Sequence, residues 1–172
     1  ADVRVPLVRY GAHFAVTAAA RAHKGSVAVV WPACDALQLL SAHNDNAAPL
    51  LRDGAHLAVM AAAHDHSADV LVARAAAGAL QNLAAADDNA APLVHAGAHT
   101  AVMAAARAHI GDLQVAQAAC GALHNLSRST AAGSLGSRAA LARDGVPEFL
   151  RLVCDRHRTD TTVQDYCRRI AL

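Results

Sequence analysis

Nearly the same thirteen residues occur three times. "GAHFAVTAAARAH" runs from Gly11 to His23, "GAHLAVMAAAHDH" from Gly54 to His66, and "GAHTAVMAAARAH" from Gly97 to His109. Gly11, Gly54 and Gly97 stand 43 residues apart, as do Pro6, Pro49 and Pro92. Aligning 46–88 with 89–131 gives 25 identities in 43 positions, 14 of them not alanine, so compositional bias does not explain the match. After a five-residue insertion a fourth copy follows, with Gly97, His109, Asp112 and Val115 mapping onto Gly145, His157, Asp160 and Val163. A fixed period of this length constrains the fold more than any motif. Each unit is one small supersecondary element that must bury its apolar face on its neighbours.

Within a unit the local signals are helical. Asn46 and Asn89 are good N-cap residues, and Pro49 and Pro92 follow where a first turn tolerates proline. Gly54 and Gly97 then read as a stop. A second helix is expected over about 55–63. The polar break "HDHSAD" follows and ends in Asp69, a cap for a third helix over about 70–85. There Val72, Ala76, Ala79, Leu80 and Leu83 recur at spacings of three and four. Hydrophobic residues are 55% of the chain while aromatics are 3%. That mixture suits close-packed helices rather than a sheet rich in β-branched residues. The expected class is all-α, with three helices in each unit.

The residues that end each unit resemble the armadillo repeat family. "VARAAAGALQNLA" (72–84) and "VAQAACGALHNLS" (115–127) are similar to that family's third-helix signature, and "GVPEFLRLV" (145–153) looks like its second-helix opening. The resemblance covers the whole chain as units of about 1–45, 46–88, 89–136 and 137–172, a single repeat domain of a longer protein. It implies a right-handed α-solenoid, an armadillo-like superhelix of about four three-helix repeats. It also implies a non-enzymatic protein-protein interaction module, an adaptor or scaffold binding an extended or helical partner segment on its concave face. Two other functions fit the same fold: structural spacer repeats in a larger assembly, and a regulatory repeat domain of a larger enzyme. The family's peptide-binding import adaptors carry a tryptophan four residues before the asparagine. Asp35, Gly78 and Gly121 stand there instead, so recognition through an aromatic array is not expected.

Steps of three and four return to one side of a helix. The expected partner-facing residues are therefore Arg74, Gly78, Gln81 and Asn82 in one unit and Gln117, Gly121, His124, Asn125 and Arg128 in the next. Trp31 maps onto Arg74 and either faces the same side or covers the alanine-rich first unit. Asn82 and Asn125 either offer amides to an extended peptide or hydrogen-bond neighbouring helices. Glycine at 78 and 121 is expected to deepen the groove. Pro32 is expected to delay or bend the first unit's third helix.

The recurring histidines raise the question of a metal. Equivalent positions in neighbouring units lie on the order of 10 Å apart, and His56 and His66 on the order of 15 Å along one helix, too far for shared ligation at about 2.1 Å. They are read as partly exposed positions at helix ends, and no metal or cofactor is expected. No Ser/His/Asp set lies at a nucleophile turn and "GSLG" (133–136) cradles no phosphate, so no catalytic residues are assigned. The Ser- and Gly-rich stretch 127–136 reads as a loop whose hydroxyls beside Arg128 could accept phosphate.

Lys and Arg number 15 against 14 Asp and Glu, and the arginines of 137–172 lack interleaved aromatics, so nucleic acid is not an expected partner. No apolar run approaches the ~18 residues of a membrane span. Cys34, Cys120, Cys154 and Cys167 sit singly and read as reduced, packed thiols, which points to an intracellular, reducing compartment, cytoplasmic or nuclear. The fourth unit stops before its asparagine–leucine end, so its last helix should be short and self-association or stacking through the solenoid ends is expected.

Overall fold

The structure is a computed structural model, and it describes residues 2–128 and 134–170. The described residues are all-helical, with α1 (Arg4–Arg9), α2 (Ala12–Ala22), α3 (Val27–Ser41), α4 (Asn44–Arg52), α5 (Ala55–Asp65), α6 (Val70–Leu83), α7 (Asp87–His95), α8 (Ala98–Ala108), α9 (Leu113–Ser127), α10 (Ser134–Arg143), α11 (Val146–Arg156) and α12 (Thr161–Arg169). The hydroxyl-bearing Ser129 and Thr130 of the insertion lie outside the described residues. None of the described helices is long and apolar enough to cross a membrane.

Helices three apart in sequence meet. α3 packs on α6, α6 on α9 and α9 on α12; α2, α5 and α8 follow each other in the same way, as do α1, α4 and α7. Helices 43 residues apart in the first three units are therefore neighbours in space. The contacts are built from small side chains. Ala73, Ala76 and Ala79 of α6 and Ala116, Ala119 and Ala122 of α9 are buried, with Leu80, Leu83, Leu123 and Leu126 filling between them. One apolar cluster runs from Val8 to Ile170, and a smaller one joins Val30, Cys34, Ala62, Val72 and Ala75.

Two junctions of each unit follow from local chemistry. Gly11, Gly54, Gly97 and Gly145 each take φ between 79° and 85° where one helix turns sharply into the next. A side chain there would be strained, which is why glycine returns at this position. Each later third helix is opened by an aspartate: Asp69 accepts from Leu71 and Val72 N–H, Asp112 from Val115 and Asp160 from Val163. Those carboxylates satisfy backbone donors that a helix start leaves without partners.

Three expectations need correction. Asn46 and Asn89 do not cap their helices, because α4 and α7 begin two residues earlier with His43 and Ala86 at the cap. Both asparagines are buried inside the first turn. Asn46 Nδ2 donates to Leu40 O at 2.8 Å and Arg4 O at 3.1 Å, and Asn89 Nδ2 to Leu83 O at 2.9 Å. They tie a helix start to the segment before it. The earlier start also leaves Pro49 and Pro92 inside their helices rather than in the first turn. Pro32 neither delays nor ends α3, which opens at Val27, the counterpart of Val70. The last described helix α12 is short, 9 residues against 15 in α9.

Candidate functional site

The α3, α6 and α9 row carries a shallow groove lined by Trp31, Asp35, Gln38, Leu71, Arg74 and Gln114. Trp31 is 38% exposed at its edge, an indole with both an apolar face and a donor for a partner. The other expected partner-facing residues lie on the same row, and most are engaged within the molecule. Arg74 donates to Asp112 through Nε at 3.1 Å and Nη2 at 2.5 Å. Gln117 Nε2 reaches both Asp160 oxygens at 3.2 and 3.3 Å. Asp112 thus caps α9 and holds α6 at once, and its carboxyl sits below the usual range because Arg74 stabilises the charge. Arg128 lies 3.9 Å from Asp87 on the surface.

Asn82 Nδ2 donates to Gln38 O at 3.0 Å, and Asn125 Nδ2 to Gln81 O at 3.0 Å. Each asparagine ties its third helix to the end of the preceding one. The glycines do not deepen the groove. A Cβ built at Gly78 would lie 2.5 Å from Gln38 Nε2, and one at Gly121 would overlap Gln81 in the same way. The niche of each missing side chain is filled by a glutamine from the preceding unit. Gln81 Nε2 also lies 3.5 Å from the Tyr166 hydroxyl, whose ring sits 5.5 Å from that of His124.

Five histidines make two sets of ties, the first buried and the second at the partly exposed helix ends expected of them. His13 and His99 are 2% and 3% exposed. Their Nε2 atoms face Asp53 Oδ2 at 3.1 Å and Asp144 Oδ2 at 2.9 Å, on the helix ends of the following unit. Burying an imidazole is tolerated because its donor finds a carboxylate. The buried Nδ1 of each has no partner, so Nε2–H is the tautomer that fits. Among the described residues no hydroxyl hydrogen-bonds that second nitrogen. The second set lies at the ends of the second helices. His66 Nε2 faces Lys24 O at 2.6 Å, His109 faces Ser67 O at 2.9 Å and His157 faces Ile110 O at 2.8 Å. Among the described residues no three His, Cys, Asp or Glu side chains converge as a metal site would require.

One rung of the first set is missing. His56 occupies the same place, but Ala96 stands where Asp53 and Asp144 stand, and His56 Nδ1 is buried without a partner. Burial lowers the His56 pKa below the ordinary histidine value, opposed by a hydrogen bond to the Leu51 backbone and helped by the Arg21 charge. A base depressed in the folded state destabilises as pH falls below about 6.5, where the unfolded chain takes up the proton first. Ala96→Asp, at a helix end with the conformation of Asp53, should supply the missing carboxylate. The expected gain at neutral pH is about 1 kcal/mol, or roughly 3 °C in Tm, with a smaller loss on going to pH 5. An unchanged Tm and an unchanged pH slope in thermal melts would show that the rung carries no stability.

The native rungs fail in acid for the opposite reason. Arg143 and His99 hold the Asp144 carboxyl at about 2, and Arg52 leads the same effect at Asp53. Their contribution is complete above the unfolded carboxylate value of about 4 and disappears as pH falls through the folded values.

The cysteines divide. Cys154 of α11 and Cys167 of α12 form a disulfide, with Cα atoms 6.6 Å apart, which corrects the expectation of four reduced thiols. Helix geometry brings together two residues that sequence spacing left unpaired. Cys34 and Cys120 are free and buried, and burial pushes both thiols up to about 12, so neither is a thiolate nucleophile near neutral pH. The intracellular expectation drew on all four thiols, and only this pair has the packed, reduced form. Comparison of the chain with protein-family models, with curated proteins and with solved structures finds no match.

Proposed function

We propose that the chain is a right-handed α-solenoid of armadillo type, about four three-helix repeats forming one domain, and that it works as a non-enzymatic protein-interaction module. The row of third helices is its concave face, and an extended or helical segment of a protein partner lies along it. Helices packed at one period offer a continuous surface rather than an enclosed pocket, which suits a peptide better than a small metabolite. The observation that carries the reading is the groove at Trp31, where an accessible indole shares the lining with Leu71, Asp35 and Arg74. Aromatic anchors of this kind dominate binding energy when a partner desolvates them.

Asn82 and Asn125 hold the helices together, so the energetic centre of the site lies at Trp31 in the first and second units. A random peptide library selected on the immobilised chain should enrich sequences that bind in solution. Trp31→Ala should weaken the enriched peptides tenfold or more, about 1.4 kcal/mol, with Tm unchanged. Asn82→Ala with Asn125→Ala should lower Tm while leaving affinity nearly intact. Peptides that bind Trp31→Ala as tightly as the native chain would remove the groove from the function and favour spacer repeats.

A further inference from the structure

The second helices of neighbouring units pack on one another, α2 on α5, α5 on α8 and α8 on α11. Four places after the turn glycine, α11 carries Phe149, fully buried, and Arg107 of α8 lies over its ring with Cζ 5.6 Å from the centroid. In α5 the same place holds Ala58, and Arg21 of α2 is the counterpart of Arg107. Where the fourth unit has a phenyl ring, the second has a cavity of about 160 Å³, walled by Ala20, Val30, Ala58, Ala61 and Ala62. Val30 and Ala62 belong to the smaller apolar cluster, so the division of the core falls beside this cavity. A space of about 150 Å³ with apolar walls is enough to take benzene.

Arg21, Lys24 and Asp65 complete the lining. All three are exposed, while Ala20, Val30, Ala58 and Ala62 are buried, so the floor is apolar and the rim is charged. Two of the rim charges are engaged: Arg21 Nη2 donates to Gly54 O at 3.3 Å, and Asp65 faces His64 Nδ1 at 3.1 Å. The Lys24 ammonium makes no ion pair among the described residues. We propose that the cavity binds a small aromatic carboxylic acid, its ring seated as the Phe149 ring is seated under Arg107 and its carboxylate on Lys24. Burying the ring gives the apolar gain, and the Arg21 guanidinium is attracted to its face. Two cations against one acid at the rim favour an anionic head over a cationic one. The volume excludes a nucleotide or a drug-sized ligand, whose pockets run to several hundred Å³. This site lies at a junction inside the chain and is separate from the Trp31 groove, so it does not depend on the protein-interaction reading.

Phenylacetate and 3-phenylpropionate, titrated into the nitrogen-15-labelled chain, test it. Amide shifts over 20–30 and 58–65 should saturate, with half-saturation at about 1 mM or below. The alcohol 3-phenylpropanol keeps the ring and lacks the charge, and should bind about fivefold more weakly, the contribution of an ion pair at an exposed rim. Lys24→Met should weaken both acids by about the same factor and leave the alcohol unchanged. Ala58→Phe places the fourth unit's own residue in the second, should fill the cavity from within, and should abolish binding with Tm undiminished. Should Ala58→Phe melt early, Lys24→Met decides, because Lys24 is exposed and its loss leaves the packing intact. The absence of a saturable shift with either acid overturns the proposal. So does a Lys24→Met chain that binds the acids as tightly as the native one, or a folded Ala58→Phe chain that still binds them. Shifts gathered at Trp31, Leu71 and Gln114 instead would place the acids in the other groove and overturn it as well.

Discussion

Leu123→Ala should lower stability by about 3–5 kcal/mol, the upper part of the range for such a truncation. Leu123 is fully buried in α9, in an apolar cluster whose commonest residue is alanine, Ala105, Ala106 and Ala119 among them. The cost of a deleted side chain depends on how far its neighbours collapse into the space. An alanine has no rotamer to swing inwards, so the cavity should persist. In a melt this corresponds to a fall of roughly 10 °C for a chain of this size. Leu123→Met conserves volume and should cost less than about 1.5 kcal/mol. A Leu123→Ala loss no larger than that of the methionine variant would show that the helices close the gap by moving together.

Reduction of the Cys154–Cys167 disulfide should cost about 3 kcal/mol, the entropy of closing a loop of about 15 residues. The sequence separation is 13, so the constraint acts on α11 and α12 alone. These helices need it. α12 is short, and Leu150, Cys154, Cys167 and Ile170 line an open groove rather than a packed junction. Protection against hydrogen exchange should therefore fall over 146–170 on reduction and change little over 70–83. The same pattern is expected of Cys154→Ser with Cys167→Ser. Equal exchange before and after reduction would mean that packing by Val153, Val163 and Phe149 suffices to hold the pair.

The helical class and the turns between helices were legible in the sequence, because each rests on local chemistry. Gly54 marks a turn since only glycine accepts its positive φ, and Asp69 marks a helix start since its carboxylate meets N–H groups two and three residues on. Alanines and leucines at steps of three and four name the buried stripe of α6 before any partner helix is known. The candidate groove was legible only in part. Trp31 was picked out by its register with Arg74, yet nothing in its neighbourhood of the sequence names Leu71 and Gln114 as residues lining the same groove.

What the tertiary structure decided lies across the unit junctions. A signal for the histidine ties was present, since His13 precedes Asp53 by 40 residues and His99 precedes Asp144 by 45, but a carboxylate at such a distance has no local consequence to betray it. Gln38 and Gln81 fill the niches at Gly78 and Gly121 because the preceding helix lies within a side chain's length, a distance that no residue pattern states. Cys154 and Cys167 pair because two helices cross where both carry a thiol. The sequence by itself determined which backbone conformation each segment prefers, through steric and hydrogen-bond preferences acting over a few residues. Which polar atoms find partners depends on how far apart the helices pack and in what register, and that is set by how closely the small side chains of α3, α6 and α9 let them approach.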